Sequence, residues 1–168
     1  MSFANKSIYL DACATTPTRK EVIDQIRNID YFFWGNPSSL HAHGIKAAEI
    51  MERSRNKIAN SLGASPNQII FTSGATESIN LAIIGCSRNL SPGRIVISSV
   101  EHPSVELADN SLREKGWEVI YWPVDDCGLI NLSELDNLLS FPTKIVSIIW
   151  GQSEVGTLQP ITKIGKAC

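Results

Sequence analysis

Apolar positions recur along this chain with two different periods. After Pro17, Val22, Ile26, Ile29 and Phe33 fall on one helical face. Thr18 and Glu21 have the T-x-x-E spacing of a capping box, which predicts a helix beginning there. The segment Trp34-Gly35-Asn36-Pro37-Ser38-Ser39-Leu40-His41 is full of turn formers and reads as a loop, with His41 and His43 in surface or loop-ordering roles. A second helix is predicted from about Ile45 to Leu62, with Ala48, Met51, Ile58 and Leu62 as its apolar stripe and Gly63 as a left-handed cap. Four short apolar runs read as strands: Gln68 to Thr72, Arg94 to Ser99 after the turn Ser91-Pro92-Gly93, Trp117 to Val124, and Lys144 to Trp150. Their continuous apolar character fits strands covered on both faces. Helices are predicted between them: one near Ala75, one over Pro103 to Lys115 with proline first and Gly116 past the end, and one from Asn131, with Glu134 at capping-box spacing. A further helix is expected after the fourth strand. The alternation predicts an α/β fold, a mainly parallel sheet with flanking helices.

Composition narrows the class of protein. Of 168 residues, 43% are hydrophobic and 19% charged, which excludes a disordered chain. The net charge of −2 gives no electrostatic reason for nucleic acid or an anionic membrane surface as partner. No apolar run approaches the ~20 residues that span a bilayer. The opening Met1-Ser2-Phe3-Ala4-Asn5-Lys6 lacks the layout of a secretory signal, so a soluble cytoplasmic protein is expected. Cys13, Cys86, Cys127 and Cys168 are widely spaced, with no C-x-x-C pair and no histidine close by in sequence. That argues against zinc and against a disulfide framework; free thiols, some buried as small hydrophobes, are expected.

Candidate chemistry gathers where ligands bind in open parallel sheets, beyond the carboxyl ends of the strands. Three predicted strand ends carry polar loops: Ser73-Gly74-Ala75-Thr76-Glu77, Glu101-His102-Pro103-Ser104, and Gly151-Gln152-Ser153-Glu154-Val155-Gly156. In the first, small residues leave the backbone open where a helix begins, and unpaired amides plus the helix dipole suit a phosphate. Thr76 adds a hydroxyl donor. The loop matches neither G-x-x-x-x-G-K-[ST] nor G-x-G-x-x-G, which disfavours a nucleoside triphosphate or a dinucleotide. An ordinary strand-to-helix turn with Thr76 as a cap is the alternative. His102 can stack on a planar cofactor or move protons near neutral pH; equally, it can serve as a helix cap. Gln152 offers an amide donor or a carbonyl acceptor. Glu154 reads as a paired loop carboxylate.

Taken together the motifs resemble those of a known family. Tyr9-Leu10-Asp11-Ala12-Cys13-Ala14-Thr15-Thr16-Pro17 is similar to Y-L-D-N-A-A-T-T-P, and Gly35-Asn36-Pro37-Ser38-Ser39-Leu40-His41 to G-N-P-S-S-x-H. Phe71-Thr72-Ser73-Gly74-Ala75-Thr76-Glu77-Ser78 matches F-T-S-G-[AG]-T-E-S, Glu101-His102-Pro103-Ser104 resembles E-H-x-[AS], and Gly128-Leu129-Ile130 the end of D-G-L-I. In this order and spacing they resemble the cysteine desulfurases, class V aminotransferases of fold type I that use pyridoxal 5'-phosphate. The resemblance implies the N-terminal part of the cofactor-binding large domain over residues 17–168, preceded by an arm, residues 1–16, that packs with the small domain of a whole enzyme. It implies that Ala75 and Thr76 hold the cofactor phosphate. It makes His102 the ring-stacking and proton-moving candidate catalytic residue. Gln152 matches an asparagine that bonds the ring hydroxyl; glutamine is one methylene longer, so the contact is expected to be displaced or changed in role. Asp11-Ala12-Cys13 departs from D-N-A, and Cys13 is not read as a nucleophile, because the family's lies far downstream.

The resemblance further implies L-cysteine as substrate, L-alanine and an enzyme persulfide as products, sulfur-acceptor or scaffold proteins as partners in iron–sulfur cluster or thio-cofactor formation, and a homodimer. No segment here resembles the family's Schiff-base lysine or persulfide cysteine, so these 168 residues alone are expected to be inactive. A selenocysteine lyase or aminotransferase of the same superfamily, a non-catalytic half-domain that binds a full-length desulfurase, and a plain phosphate-binding α/β domain share many of these features. The Gly35 to His41 loop favours the desulfurase.

Overall fold

The computed structural model describes residues 8–168, so the reading of Met1 to Lys6 and part of the expected 1–16 arm lie outside the described residues. The chain divides into two compact units, Met1–Phe71 and Thr72–Cys168.

The first unit carries two helices, α1 (Lys20–Phe32) and α2 (Ala42–Leu62). The Thr18–Glu21 capping box does not form. Arg19 occupies the N-cap with no side-chain bond, which leaves Thr18 one residue too far out to reach the first turn. None of the residues of α1 is buried: Val22, Ile26 and Ile29 are all exposed. Helix α2 starts three residues earlier than its apolar stripe suggested, because His41 caps it; its Nδ1 accepts from the Gly44 amide at 3.3 Å. His43 therefore lies inside the helix, its ring stacked on Trp34 at 5.1 Å between centroids. Gly63 closes the helix at φ 65°, as its sequence position required. The buried residues of α2 are Gly44 and Ala59, whereas Met51, Ile58 and Leu62 are exposed.

The turn before α2 depends on close backbone approach. A Cβ on Gly44 would lie 2.2 Å from the Ser39 carbonyl oxygen, and one on Gly35 would lie 2.4 Å from that of His43. Both obstacles are backbone, so neither can swing aside. Gly44→Ala is expected to destabilise this unit by about 1–3 kcal/mol, seen as a lower midpoint in urea unfolding. Gly63→Ala, which meets no neighbour but has positive φ, should cost about 1 kcal/mol.

The strand expected from Gln68 to Thr72 is absent. Pro66–Gln68 is a 3-10 turn, fastened by the Ser65 amide donating to Gln68 Oε1 at 2.8 Å. The backbone beyond it is held by a side chain: Arg55 donates to the Ile69 carbonyl and lies 4.8 Å from the Phe71 ring centroid. Ile70 and Phe71 are exposed. An apolar run forms a strand only beside a partner, and none pairs with this one among the described residues.

The second unit is a three-stranded parallel sheet: β1 (Arg94–Ser98), β2 (Glu118–Trp122) and β3 (Thr143–Ser147), in the order β2-β1-β3. Helices α3 (Ala75–Ser87), α4 (Pro103–Arg113), α5 (Leu135–Leu139) and α6 (Ile161–Ala167) flank it. Strand β1 is central, and its side chains alternate between two cores. Ile95 and Ile97 face Ile83 of α3 and Val105, Ala108 and Leu112 of α4. Val96 faces the other way, with Trp122, Ile130, Leu138 and Ile164. The expected helix from Asn131 is shorter and starts differently. Asn131 Oδ1 accepts from the Ser133 amide at 3.0 Å, but the turn it opens, Leu132–Glu134, is 3-10 and precedes the five-residue α5, so Glu134 completes no capping box. The four cysteines are all free and exposed, against the expectation that some would be buried.

Candidate functional site

Parallel order fixes which residues share an edge. Ile97 pairs with Tyr121 on one side and Ser147 on the other, so the carboxyl ends of the three strands lie together. Helix α4 starts at that edge, directly after β1. Helix α3 leads into the amino end of β1 and packs its Ile83 on that strand, so it runs antiparallel to it and its own start lies at the same edge. The loop after β3 begins there too. Ala75 and Thr76, His102, and Gln152 are thus all carried on one edge of the second unit.

The start of α3 is bare. Gly74 is the N-cap, extended at φ 166°, and no side chain caps the helix. The amides of Ala75, Thr76 and Glu77 donate to no acceptor among the described residues, and a Cβ built on Gly74 meets nothing within 4 Å. Glu77 folds back instead on Ser73, accepting from its amide and hydroxyl at 2.6 Å each. The Ser73 hydroxyl, followed by the amide, holds the exposed Glu77 carboxyl below its ordinary value. Thr76 lies within the first turn and is not the cap. Three free amides, a hydroxyl and open space fit an oxyanion such as a phosphoryl group. Among the described residues no group of three or more His, Cys, Asp or Glu is placed to hold a metal ion.

His102 is a helix cap with a free nitrogen. Nδ1 accepts from the Ser104 amide at 3.1 Å and lies 2.8 Å from Ser104 Oγ. That acceptor role puts the proton of the neutral ring on Nε2, and the exposed ring presents Nε2–H outward. Capping and ligand contact are therefore compatible. Pro103, at the first helical position, has no amide to satisfy, so the cap is made to the next one, that of Ser104.

Sequence reasoning passed over Glu101. Its carboxylate accepts the Ile149 amide proton across 48 residues of sequence. Burial raises its pKa above the ordinary 4.5; the Ile149 amide, the Ser98 hydroxyl and the His102 amide and charge pull the other way. Ser98 Oγ, fully buried at the end of β1, completes no hydrogen bond of normal geometry. A raised folded-state pKa means the folded form holds its proton longer than the unfolded form. This contribution to stability is full below pH 4.5 and is lost as pH rises through the folded value. The melting temperature of Glu101→Gln relative to the wild-type chain should therefore climb between pH 4.5 and 7. A constant difference would contradict that sign.

Gln152 is turned into its own loop. Its Oε1 accepts from the amides of Glu154 and Val155 at 2.6 and 2.8 Å, and its backbone bonds Thr157 and Gly156 at 2.9 Å each. The side-chain carbonyl is used up, so only the Nε2 amide remains to donate to a ligand. The loop is stapled from behind by Gln159, buried, which donates to the Gly128 carbonyl at 2.6 Å and accepts from the Ile130 amide at 3.0 Å. No local pattern in the sequence marks Gln159.

A parallel sheet between helices, with helix starts gathered at its carboxyl edge, defines the second unit as an α/β ligand-binding domain. The family model of Aminotransferase class-V matches residues 8–168, and the chain belongs to that family. It is 41% identical over 168 residues to the cysteine desulfurase IscS of Methanosarcina thermophila, covering 99% of this chain and 42% of the relative. It is 40% identical to the mitochondrial cysteine desulfurase of Candida albicans, covering 99% of this chain and 35% of that one. Among solved structures, a NifS-like protein superposes with a TM-score of 0.89 at 37% identity, over 95% of this chain and 44% of the other. SspA in complex with cysteine gives 0.88 at 34% identity, over 96% and 47%. The chain spans about two fifths of the length of the curated relatives it matches. Among the described residues no helix is long and apolar enough to cross a membrane.

Proposed function

We propose that these residues are the phosphate-seating and ring-orienting half of a pyridoxal 5'-phosphate-dependent cysteine desulfurase, acting on L-cysteine and passing its sulfur to an acceptor or scaffold protein for iron–sulfur cluster or thio-cofactor assembly. The observation that carries the reading is the uncapped start of α3 on the edge that also bears His102. When bound, the cofactor supplies an electron sink for carbanion chemistry. This chain's own groups seat and orient it. The Ala75 and Thr76 amides and the Thr76 hydroxyl hold the phosphoryl oxygens. The His102 ring lies against the pyridine face, with Nε2 able to hold or deliver a proton. Gln152 Nε2 donates to the ring hydroxyl, a donor-only contact set by the loop that occupies its carbonyl. The 1–16 arm, the homodimer and a cytoplasmic setting belong to the same proposal. One relative is named a mitochondrial cysteine desulfurase.

The test compares two polypeptides given the cofactor and L-cysteine: these 168 residues alone, and the same residues joined to the remainder of the Methanosarcina relative. The joined chain is expected to form alanine and sulfur in equal amounts. The 168 residues alone are expected to form neither above the rate of free cofactor, because no segment in them resembles the lysine or cysteine that completes the reaction. Turnover by the short chain would overturn the division of labour. A folded joined chain that binds the cofactor and makes no alanine would overturn the activity.

A further inference from the structure

The geometry points to Glu101 as a positioning residue: by accepting the Ile149 amide proton, its carboxylate ties the end of β3, and with it the Gln152 loop, to the turn that carries His102. The inference rests on the cofactor reading, and it goes further by naming what sets the spacing between two ring contacts.

The end of β1 stays laddered to β2 through Ser98 and Trp122, but nothing in the ladder carries that hold across to the end of β3. The β1–β3 register runs only to Ile97 and Ser147, and the backbone after Ser98 and after Ser147 leaves the strands. Past that point Gly151 pairs with Leu158 and the Gln159 amide bonds the Trp150 carbonyl, so the 150–159 loop is held together as a unit. The tie between that unit and the 99–102 turn is the Glu101 carboxylate on the Ile149 amide. Glu101 is half-buried and adjacent to His102, whose ring is itself fixed by Ser104. A half-buried carboxylate with no cation bonded to it among the described residues is costly to keep unless its acceptor role is needed. Here that role is to satisfy a backbone amide at the seam between two loops.

The test uses the 168-residue chain with two probes. Inorganic phosphate reads the seat at α3. Pyridoxine 5'-phosphate reads seat and ring contacts together, and lacks the aldehyde that would react with surface lysines. Hydrogen exchange of the Ile149 amide reads the tie directly. Glu101→Ala is expected to speed Ile149 exchange about tenfold or more and to weaken pyridoxine 5'-phosphate about tenfold, leaving phosphate affinity within about twofold. Glu101→Gln, which keeps an acceptor oxygen, should restore both to within about twofold of wild type. Glu101→Asp keeps the charge but loses reach, so it should behave like alanine and serves if the alanine variant unfolds. Unchanged Ile149 exchange in the alanine or aspartate variant would sink the inference. So would an equal loss of both probes, or a glutamine variant as poor as alanine. Failure of the wild-type chain to bind either probe would instead remove the cofactor reading, while Ile149 exchange still decides the tie.

Discussion

Gly74→Asp is expected to weaken phosphate binding about 100-fold while leaving the protein as stable as before, or more so. An aspartate at this N-cap places its own carboxylate on the amides of the first turn of α3, the groups that wild type leaves without acceptors. The backbone there is extended, and the new Cβ meets nothing within 4 Å, so the substitution carries no steric cost. Helix capping should hold stability constant or raise it by up to ~1 kcal/mol. The affinity for phosphate and pyridoxine 5'-phosphate should fall about 100-fold, since the ligand must displace a tethered anion and bear its repulsion. The opposite signs matter: a variant that merely damaged the fold would lose both. Retained phosphate affinity, measured by calorimetry beside a melt of the same sample, would place the anion somewhere else.

Trp122→Ala should cause the largest loss of stability. Trp122 is fully buried at the end of β2, against Val96, Ile130, Leu138 and Ile164. Its Nε1 donates to the Asn131 carbonyl at 2.9 Å and so pins the turn that leads to α5. Truncation empties the core on the Val96 side of the sheet, at about 3–5 kcal/mol, and leaves that carbonyl without its partner. Against a typical domain stability of about 5–15 kcal/mol, this removes a large share. Urea unfolding should show the midpoint fall steeply, with Trp122→Phe intermediate because it keeps most of the volume and loses the bond. A midpoint shift equivalent to less than about 1 kcal/mol would contradict the burial described for this side chain.

What could be read from the sequence follows the range of the forces involved. Gly63 and Pro103 act on their own backbone, and the helix ends they mark fall where the residues indicate, whereas α4 ends at Arg113, two residues before the expected Lys115, and Gly116 turns the chain beyond it at φ 81°. Strand β1 was legible because burial on both faces leaves an uninterrupted apolar run. The same rule failed for Gln68 to Thr72, where the run is equally apolar but pairs with no strand among the described residues, and Arg55 holds the backbone instead. Thr18 and Glu21 had the right spacing for a cap at a helix that starts one residue too late. At the site, the residues that meet a ligand were visible through their loops. Those that hold the loops were not: Glu101 reaches Ile149 across 48 residues and Gln159 reaches Ile130 across 29, and neither separation leaves a local pattern. The inward turn of the Gln152 carbonyl was also hidden, since it depends on a loop conformation closed by Gly156 at φ 79°.

In the proposed complex one ligand touches the start of α3 and the ring of His102 at once. Titrating pyridoxine 5'-phosphate into isotope-labelled chain, while following the Ala75 and Thr76 amides and the His102 ring protons, measures this directly. All three should move together along a single binding curve, whereas inorganic phosphate should move the amides and leave the ring nearly still. Amides that shift while the ring stays unmoved by the phosphorylated pyridine would separate the two groups and contradict the joint contact.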